Sequence, residues 1–361
     1  MKIVQLVPWT EPVPPKKYGG TELVAYNITE ELVKQGHEVY LIASGDSTTS
    51  AKLIPIAEKS FRELYPRESY PEKELKEIEV YWKWRKFVDT AKIIQELKPD
   101  IVHNHFSWRG VLFSPLYNAP VMTTMHGPVN VYQEQQTFKD FPQGNYVSIS
   151  NNQRKANPDL NWIKTVYNGI DVSRFDLGEG RGDEKGEYFA FLGRVSPEKG
   201  LAEIIQIVKK TKYRLKIAAK IDFVDTEYFE TKIKPLIDGK QIEFLGEVDH
   251  AGKNELLKNA KATLIWLNWE EPFGLVVTES MATGTPVIAT RRGSMPELIV
   301  DSKTGFLVDS LDDMQKKLDE VNLIDRKTTR EHVVKNFSKE KMVEEYVALA
   351  EKLIHTYKND Q

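Results

Sequence analysis

Two short motifs hold the residues best suited to chemistry. In Gly193-Arg194-Val195-Ser196-Pro197-Glu198-Lys199-Gly200, two cations share one loop. In the stretch from Glu270 to Thr290, Glu271 and Glu279 flank a Pro272-Phe273-Gly274 turn and the apolar segment that follows it. A guanidinium binds a phosphate as a fork and an ammonium binds it as a point charge, so Arg194 and Lys199 suit a diphosphate. A helix start near Phe273 and Gly274 adds backbone N–H donors of the same sign. Carboxylates beside a phosphate are unfavourable unless they accept hydrogen bonds from hydroxyls, which sugars and riboses supply. A nucleotide-sugar meets all of these demands with one ligand.

Other residues invite weaker readings. Gly19 and Gly20 open a helix whose bare N–H groups would attract an anion, although glycines there also simply let the chain turn. Thr21 reads as the N-cap of that helix. His126 stands at a strand's carboxyl end before Gly127-Pro128, placed either to project into a cleft or to cap a turn. His103 and His105 share one face of a strand, but no third ligand is evident nearby and no metal site is assigned. Tyr81, Trp82, Trp84 and Phe87, interleaved with Lys83, Arg85 and Lys86, suggest peripheral contact with a membrane surface or an acceptor. The competing reading packs those aromatics inward and leaves the basic residues solvated. No G-x-G-x-x-G follows a strand, Gly252-Lys253-Asn254 fails as a phosphate-binding P-loop, and no G-x-S-x-G elbow occurs.

The elements that must position these residues alternate. Apolar runs predict strands over 2–7, 38–43, 100–104, 120–125, 145–149 and 164–167, with helices over 21–36 and 71–97. Residues 44–70 are polar and carry no clear pattern. After a Gly-rich, charged stretch at 177–186, which reads as the linker, the alternation restarts. Strands are expected over 187–192, 214–219, 241–245, 262–267, 286–289 and 305–308, with helices over 201–208, 226–237 and 254–260. A last amphipathic helix spans 338–357. Two doubly wound α/β domains follow, 1–170 with the C-terminal helix 340–361, and 171–339.

Composition agrees with a folded, two-domain chain. Its 361 residues exceed one ordinary core, and 40% hydrophobic with 29% charged residues describes a globular protein. Fifty Lys and Arg against 53 Asp and Glu leave a net charge of -3, which gives no reason to expect a nucleic-acid partner. The absence of cysteine excludes disulfides, thiolate ligands and a thiol nucleophile. With no signal-like N-terminus and no apolar run near the roughly 20 residues of a spanning helix, a cytoplasmic location is expected.

Together, Glu271 and Glu279 in EPFGLVVTESMATGTPVIA, GRVSPEKG at 193–200, NGID at 168–171 and YGGTE at 18–22 resemble the retaining glycosyltransferases of family four. The resemblance implies the GT-B fold: two Rossmann-like domains facing each other across a cleft, with the C-terminal helix crossing back to the N-terminal domain. It implies that Arg194 and Lys199 hold the diphosphate and stabilise the leaving group, and that Glu279 binds the ribose hydroxyls. It gives Glu271 the donor sugar's hydroxyls, Phe273, Gly274 and Leu275 backbone contacts, Gly19 and Gly20 a loop over the diphosphate, and His126 a place near the transferred sugar. Thr283 stands where a cysteine is frequent and Ser294 where a second glycine is frequent, and neither is expected to touch the chemistry. The implied reaction moves a hexosyl group from a UDP- or GDP-hexose to a hydroxyl of a small molecule, glycan or lipid, with retention and without a required metal or other cofactor. A nucleotide-sugar epimerase of the same architecture, or a non-catalytic nucleotide- or carbohydrate-binding protein, stands as the alternative.

Overall fold

The structure, a computed structural model, describes residues 1–16 and 19–359. Tyr18 of the 18–22 motif and the last two residues of the 340–361 segment lie outside the described residues. The chain forms two compact units. The first takes Met1–Ile149, Arg154–Gly169 and the chain from Lys339 onward; the second takes Ser150–Gln153 and Ile170–Ser338.

Seven strands build the first unit: β1 (Lys2–Leu6), β2 (Glu38–Ser44), β3 (Lys52–Ala57), β4 (Ile101–Asn104), β5 (Val121–Met125), β6 (Asn145–Ser148) and β7 (Trp162–Thr165). All neighbours pair in parallel, in the order β3-β2-β1-β4-β5-β6-β7. Parallel strands covered on both faces need near-continuous apolar runs, which β1 and β2 approach; β4 and β5 begin apolar and bury His103, Asn104, Thr123 and Thr124 as hydrogen-bonded pairs instead. The patternless 44–70 stretch holds β3, an edge strand that tolerates Pro55 because an edge residue need not donate to the ladder.

Helix Glu72–Leu97 lays Phe87, Ala91 and Ile94 onto this sheet against Val4, Leu6, Ile42 and Val102. Phe87 and Ile94 each contribute roughly 1.5–3 kcal/mol when fully buried. The aromatic-basic cluster on this helix divides. Trp82 and Phe87 lie in the core, Trp82 edge-on and Phe87 tilted against Trp9, whereas Tyr81 and Trp84 are 74% and 40% exposed. Lys83 is mostly buried beside Glu79, at 2.5 Å. Among the described residues no helix is long and apolar enough to cross a membrane.

Helix Gly20–Lys34 starts two residues earlier than Thr21 allows as a cap: Gly19 is the N-cap and no side chain caps the first turn. The C-terminal helix, Lys339–Asn359, belongs to this first unit and buries Met342, Val343, Tyr346, Leu349 and Ala350 on one stripe.

The second unit has six strands: β8 (Tyr188–Arg194), β9 (Arg214–Lys220), β10 (Ile242–Gly246), β11 (Thr263–Ile265), β12 (Val287–Thr290) and β13 (Gly305–Val308). They are again all parallel, in the order β10-β9-β8-β11-β12-β13. Helix Leu201–Val208 packs Leu201, Ile204, Ile205 and Val208 over Phe189, Leu215, Ile217 and Leu264.

Several segments differ from their sequence reading. The stretch at 177–186 is no linker but part of the second unit. The Gly178 N–H donates to the Thr283 carbonyl at 2.9 Å, and a Cβ on Gly178 would sit 1.9 Å from the Lys258 carbonyl oxygen. Residues 226–237 are not one helix but a short helix, a π turn over Phe229–Ile233 and a 3-10 turn over Lys234–Leu236, as expected where Pro235 removes a donor. Helices Leu311–Glu320 and Arg326–Asn336, with no counterpart in the sequence reading, are capped by Ser310 and Asp325, which accept from the N–H groups of Asp313 and Thr328.

Candidate active site

In the second unit the strand order reverses between β8 and β11. The connections leaving these two strands run to opposite faces of the sheet and leave a crevice outside their carboxyl ends, where open α/β sheets bind ligands. Both charged motifs come to this point. Arg194 ends β8, and a 3-10 turn, Pro197–Lys199, carries Lys199 to Gly200. Gly200 has φ +60°, and a Cβ there would lie 2.2 Å from the Trp266 carbonyl oxygen, so only glycine lets the two loops approach. The Asn268 N–H donates to the Glu198 carbonyl at 2.9 Å and its amide to the Pro197 carbonyl at 3.0 Å, fixing one loop on the other.

On this frame the Lys199 ammonium pairs with the Glu271 carboxylate and lies 5.1 Å from the centre of the Trp269 ring. Arg194 reaches Glu198 at 2.8 Å and Asp222 at 3.3 Å, and Asp222 also meets Lys220 at 3.2 Å. Burial alone would raise the Asp222 carboxyl, but Lys220 and Arg194 beside it hold it below its ordinary range. Three cations thus face three carboxylates at one sheet edge. A polyanion can compete for the cations while hydroxyls take up the displaced acceptors.

The loop that carries Glu271 is held by its backbone. The Glu271 carbonyl accepts from the Ser294 N–H at 3.0 Å, and the Glu270 carboxylate accepts from the Gly293 N–H at 2.9 Å. Gly293, at φ +60°, would place a Cβ 2.5 Å from the Glu271 nitrogen. The Ser294 hydroxyl donates to the Phe273 carbonyl. Ser294 therefore holds the loop that carries Glu271, whereas Thr283 bonds to Ser280, Thr285 and, through its carbonyl, Gly178. The Phe273 ring is buried edge-on to Phe337, and its carbonyl is already engaged by Ser294. Gly274, at φ +91°, is the N-cap of helix Leu275–Ala282, whose first turn has no side-chain cap. Glu279 follows inside that helix, 4% exposed, and its carboxylate pairs with Lys253 from helix His250–Asn259.

The structure therefore brings Arg194, Lys199, Glu271, Phe273, Gly274 and Leu275 to one crevice of the second unit, with Glu279 inside the helix that opens there. Glu198, Asp222, Lys253, Trp269 and Ser294 were not anticipated as its members. The Gly252-Lys253 pair is visible in the sequence, but only the fold shows that its lysine meets Glu279.

Gly19, Gly20 and His126 belong to the first unit. Its own strand-order reversal lies between β1 and β4; Gly19 and Gly20 follow the long loop after β1, and His126 follows β5. The His126 Nε2 is 2.9 Å from His105 Nδ1, and His105 Nε2 is 2.8 Å from Gln5 Oε1. His103 Nε2 meets Thr124 Oγ1 at 2.8 Å, and that hydroxyl meets the Tyr346 hydroxyl at 2.9 Å. Burial pushes His126 down to about 4 and His103 down to about 3, with His126 a second influence on His103, and it lowers His105 well below the ordinary histidine value. All three rings are accordingly neutral near pH 7.

Family models match almost end to end. Glycosyltransferase Family 4 matches residues 18–174, and Glycosyl transferases group 1 matches residues 174–353. The chain is 24% identical to the N-acetyl-alpha-D-glucosaminyl L-malate synthase of Bacillus anthracis, over 94% of this chain and 96% of that protein. Its fold is similar to that of the sucrose-phosphate synthase of Thermosynechococcus elongatus, with a TM-score of 0.79 at 18% identity over 98% and 99% of the two chains. It is also similar to the Anabaena protein HepE in complex with UDP-glucose, with a TM-score of 0.71 at 15% identity over 98% and 100%. Two parallel α/β units with charged motifs at a switch point, matched by both halves of one enzyme family, lead to one assignment: the chain is a family 4-type glycosyltransferase of the GT-B fold.

Proposed function

We propose that the protein transfers a hexosyl group from a UDP- or GDP-hexose to an acceptor hydroxyl with retention of anomeric configuration. The observation that carries this reading is the meeting of Arg194, Lys199 and Glu271 at the β8–β11 reversal, beside the uncapped start of helix Leu275–Ala282. Arg194 and Lys199 take the diphosphate and neutralise it as it departs, with the helix amides adding to them, so that no metal is required for that task. Glu271 then accepts from the sugar hydroxyls and Glu279, held by Lys253, from the ribose hydroxyls. Gly19 and Gly20 bind over the diphosphate, and His126 lies by the transferred sugar. No carboxylate is assigned as a nucleophile; the acceptor attacks from the face the diphosphate leaves, and the departing phosphate takes its proton. The complex of Anabaena HepE with UDP-glucose supports a nucleoside diphosphate sugar as the donor.

The test is release of nucleoside diphosphate from a panel of UDP- and GDP-sugars, with small-molecule, glycan and lipid acceptors. Lys199→Ala and Arg194→Ala should each lower kcat by about 10²–10³, the loss seen when one oxyanion contact is removed. Turnover unchanged in both variants overturns the assignment. Conversion of the donor to its epimer, with no diphosphate released, would replace the transferase with the epimerase. The anomeric coupling constant of the product decides retention.

A further inference from the structure

We infer that Gln5 and His105 are positioning residues that decide which ring nitrogen of His126 carries its proton. The inference rests on the reading of His126 as a residue beside the transferred sugar. Gln5 is 0% and His105 2% exposed, so neither can exchange its partner for water. Each neutral imidazole has one N–H donor and one bare nitrogen acceptor. His105 is gripped at both nitrogens, by Gln5 at 2.8 Å and by His126 at 2.9 Å, so the group at Gln5 fixes the direction of the whole chain. If Gln5 presents its carbonyl, His105 donates from Nε2, its Nδ1 accepts, and His126 carries its proton on Nε2 with Nδ1 bare. If Gln5 presents its amide N–H, every bond reverses and His126 carries its proton on Nδ1. The two polarities give a substrate hydroxyl opposite partners at the same ring: an acceptor in the first, a donor in the second.

The other ring in contact, His103, is 4.0 Å from His105 centre to centre, and its Nε2 is directed at Thr124. The second polar atom of the Gln5 amide, Nε2, has no partner. A buried amide with only one of its two ends engaged earns its place through that one bond, which here is the bond to His105.

The experiment reads the tautomer directly. The enzyme labelled with ¹⁵N at histidine is studied at pH 7.5 by long-range ¹H–¹⁵N correlation, which separates Nδ1–H, Nε2–H and doubly protonated rings, with a His126→Asn sample for assignment. The wild type should show His126 as one tautomer. Gln5→Met, of similar volume and without the polar group, should leave a mixture. Gln5→Glu presents only acceptor oxygens and should drive His126 to the Nε2–H form. Donor turnover in Gln5→Met should fall about tenfold, the effect of one hydrogen bond of ordinary strength, with the thermal shift produced by UDP unchanged. The same His126 tautomer in all three proteins overturns the inference, even if His126→Asn is inactive. Full activity of His126→Asn, with the tautomer still following position 5, overturns instead the placement of His126 beside the sugar.

Discussion

Ser294 shows how a neutral side chain holds a charged site. Its N–H and hydroxyl bind the Glu271 and Phe273 carbonyls, on either side of Pro272. Ser294→Ala removes the buried hydroxyl's bond to the Phe273 carbonyl, at a cost of about 1 kcal/mol. The expected outcome is a lower melting temperature for the second unit and a several-fold higher KM for the donor, with kcat changed less. An unaltered KM would mean that the loop keeps its shape without the bond. Arg194, Lys199, Glu271 and Glu279 are legible in the sequence because each sits in a short motif beside a strand end. Lys253, Asp222 and Ser294 are not, because each meets its partner 26, 28 or 21 residues away, across elements whose neighbours only the sheet order decides.

At the scale of elements, the helix Lys339–Asn359 is the clearest case of a distant segment completing a core. Its stripe of Met342, Val343, Tyr346, Leu349 and Ala350 repeats at helical spacing, and Tyr346 adds a hydrogen bond to Thr124 at the carboxyl end of β5. Replacing a buried aromatic by alanine costs about 3–5 kcal/mol, a large share of the 5–15 kcal/mol that holds an ordinary domain together. Tyr346→Ala should therefore unfold the first unit at markedly lower urea, while Tyr346→Phe, which loses only the hydroxyl, should cost about 1 kcal/mol. Tryptophan emission follows this well, since Trp9, Trp82, Trp84, Trp108 and Trp162 lie in the first unit and only Trp266 and Trp269 in the second. Equal midpoints for Tyr346→Ala and the wild type would remove the helix from the core. The periodicity of this helix is plain in the sequence, as are the strands that run apolar end to end. The Gly-rich 177–186 segment misleads because composition reports flexibility in the unfolded chain, whereas Gly178 is there to let Lys258 approach. Residues 226–237 mislead because Pro235 and a π turn break a pattern that looks continuous.

At the scale of the molecule, the same buried histidines make the first unit sensitive to acid. His103, His105 and His126 are held neutral by burial, with folded values near 3, well below the ordinary value, and near 4, against about 6.5 when unfolded. Between pH 4 and 6.5 the unfolded chain binds protons that the folded unit refuses, so stability rises with pH across that window and falls on acidification. Each histidine contributes at most about 1.4 kcal/mol per pH unit there, where the unfolded ring is charged and the folded one neutral. Two carboxyls oppose this. Glu22, pushed up to about 7 by burial, and Glu134, also raised chiefly by burial, hold protons that the unfolded chain releases, so their contribution is present at low pH and lost as pH rises through their folded values. Three histidines against two carboxyls leave a net loss of stability from pH 6.5 towards 4.5. Urea melts followed by tryptophan emission at pH 7, 6 and 5 should show the midpoint falling at each step. Glu22→Gln, which removes one opposing group, should steepen that fall. A midpoint that is flat or rising from pH 7 to 5 would mean that the imidazoles gain protons in the folded unit, and hence that the chain from Gln5 to His126 is open to water.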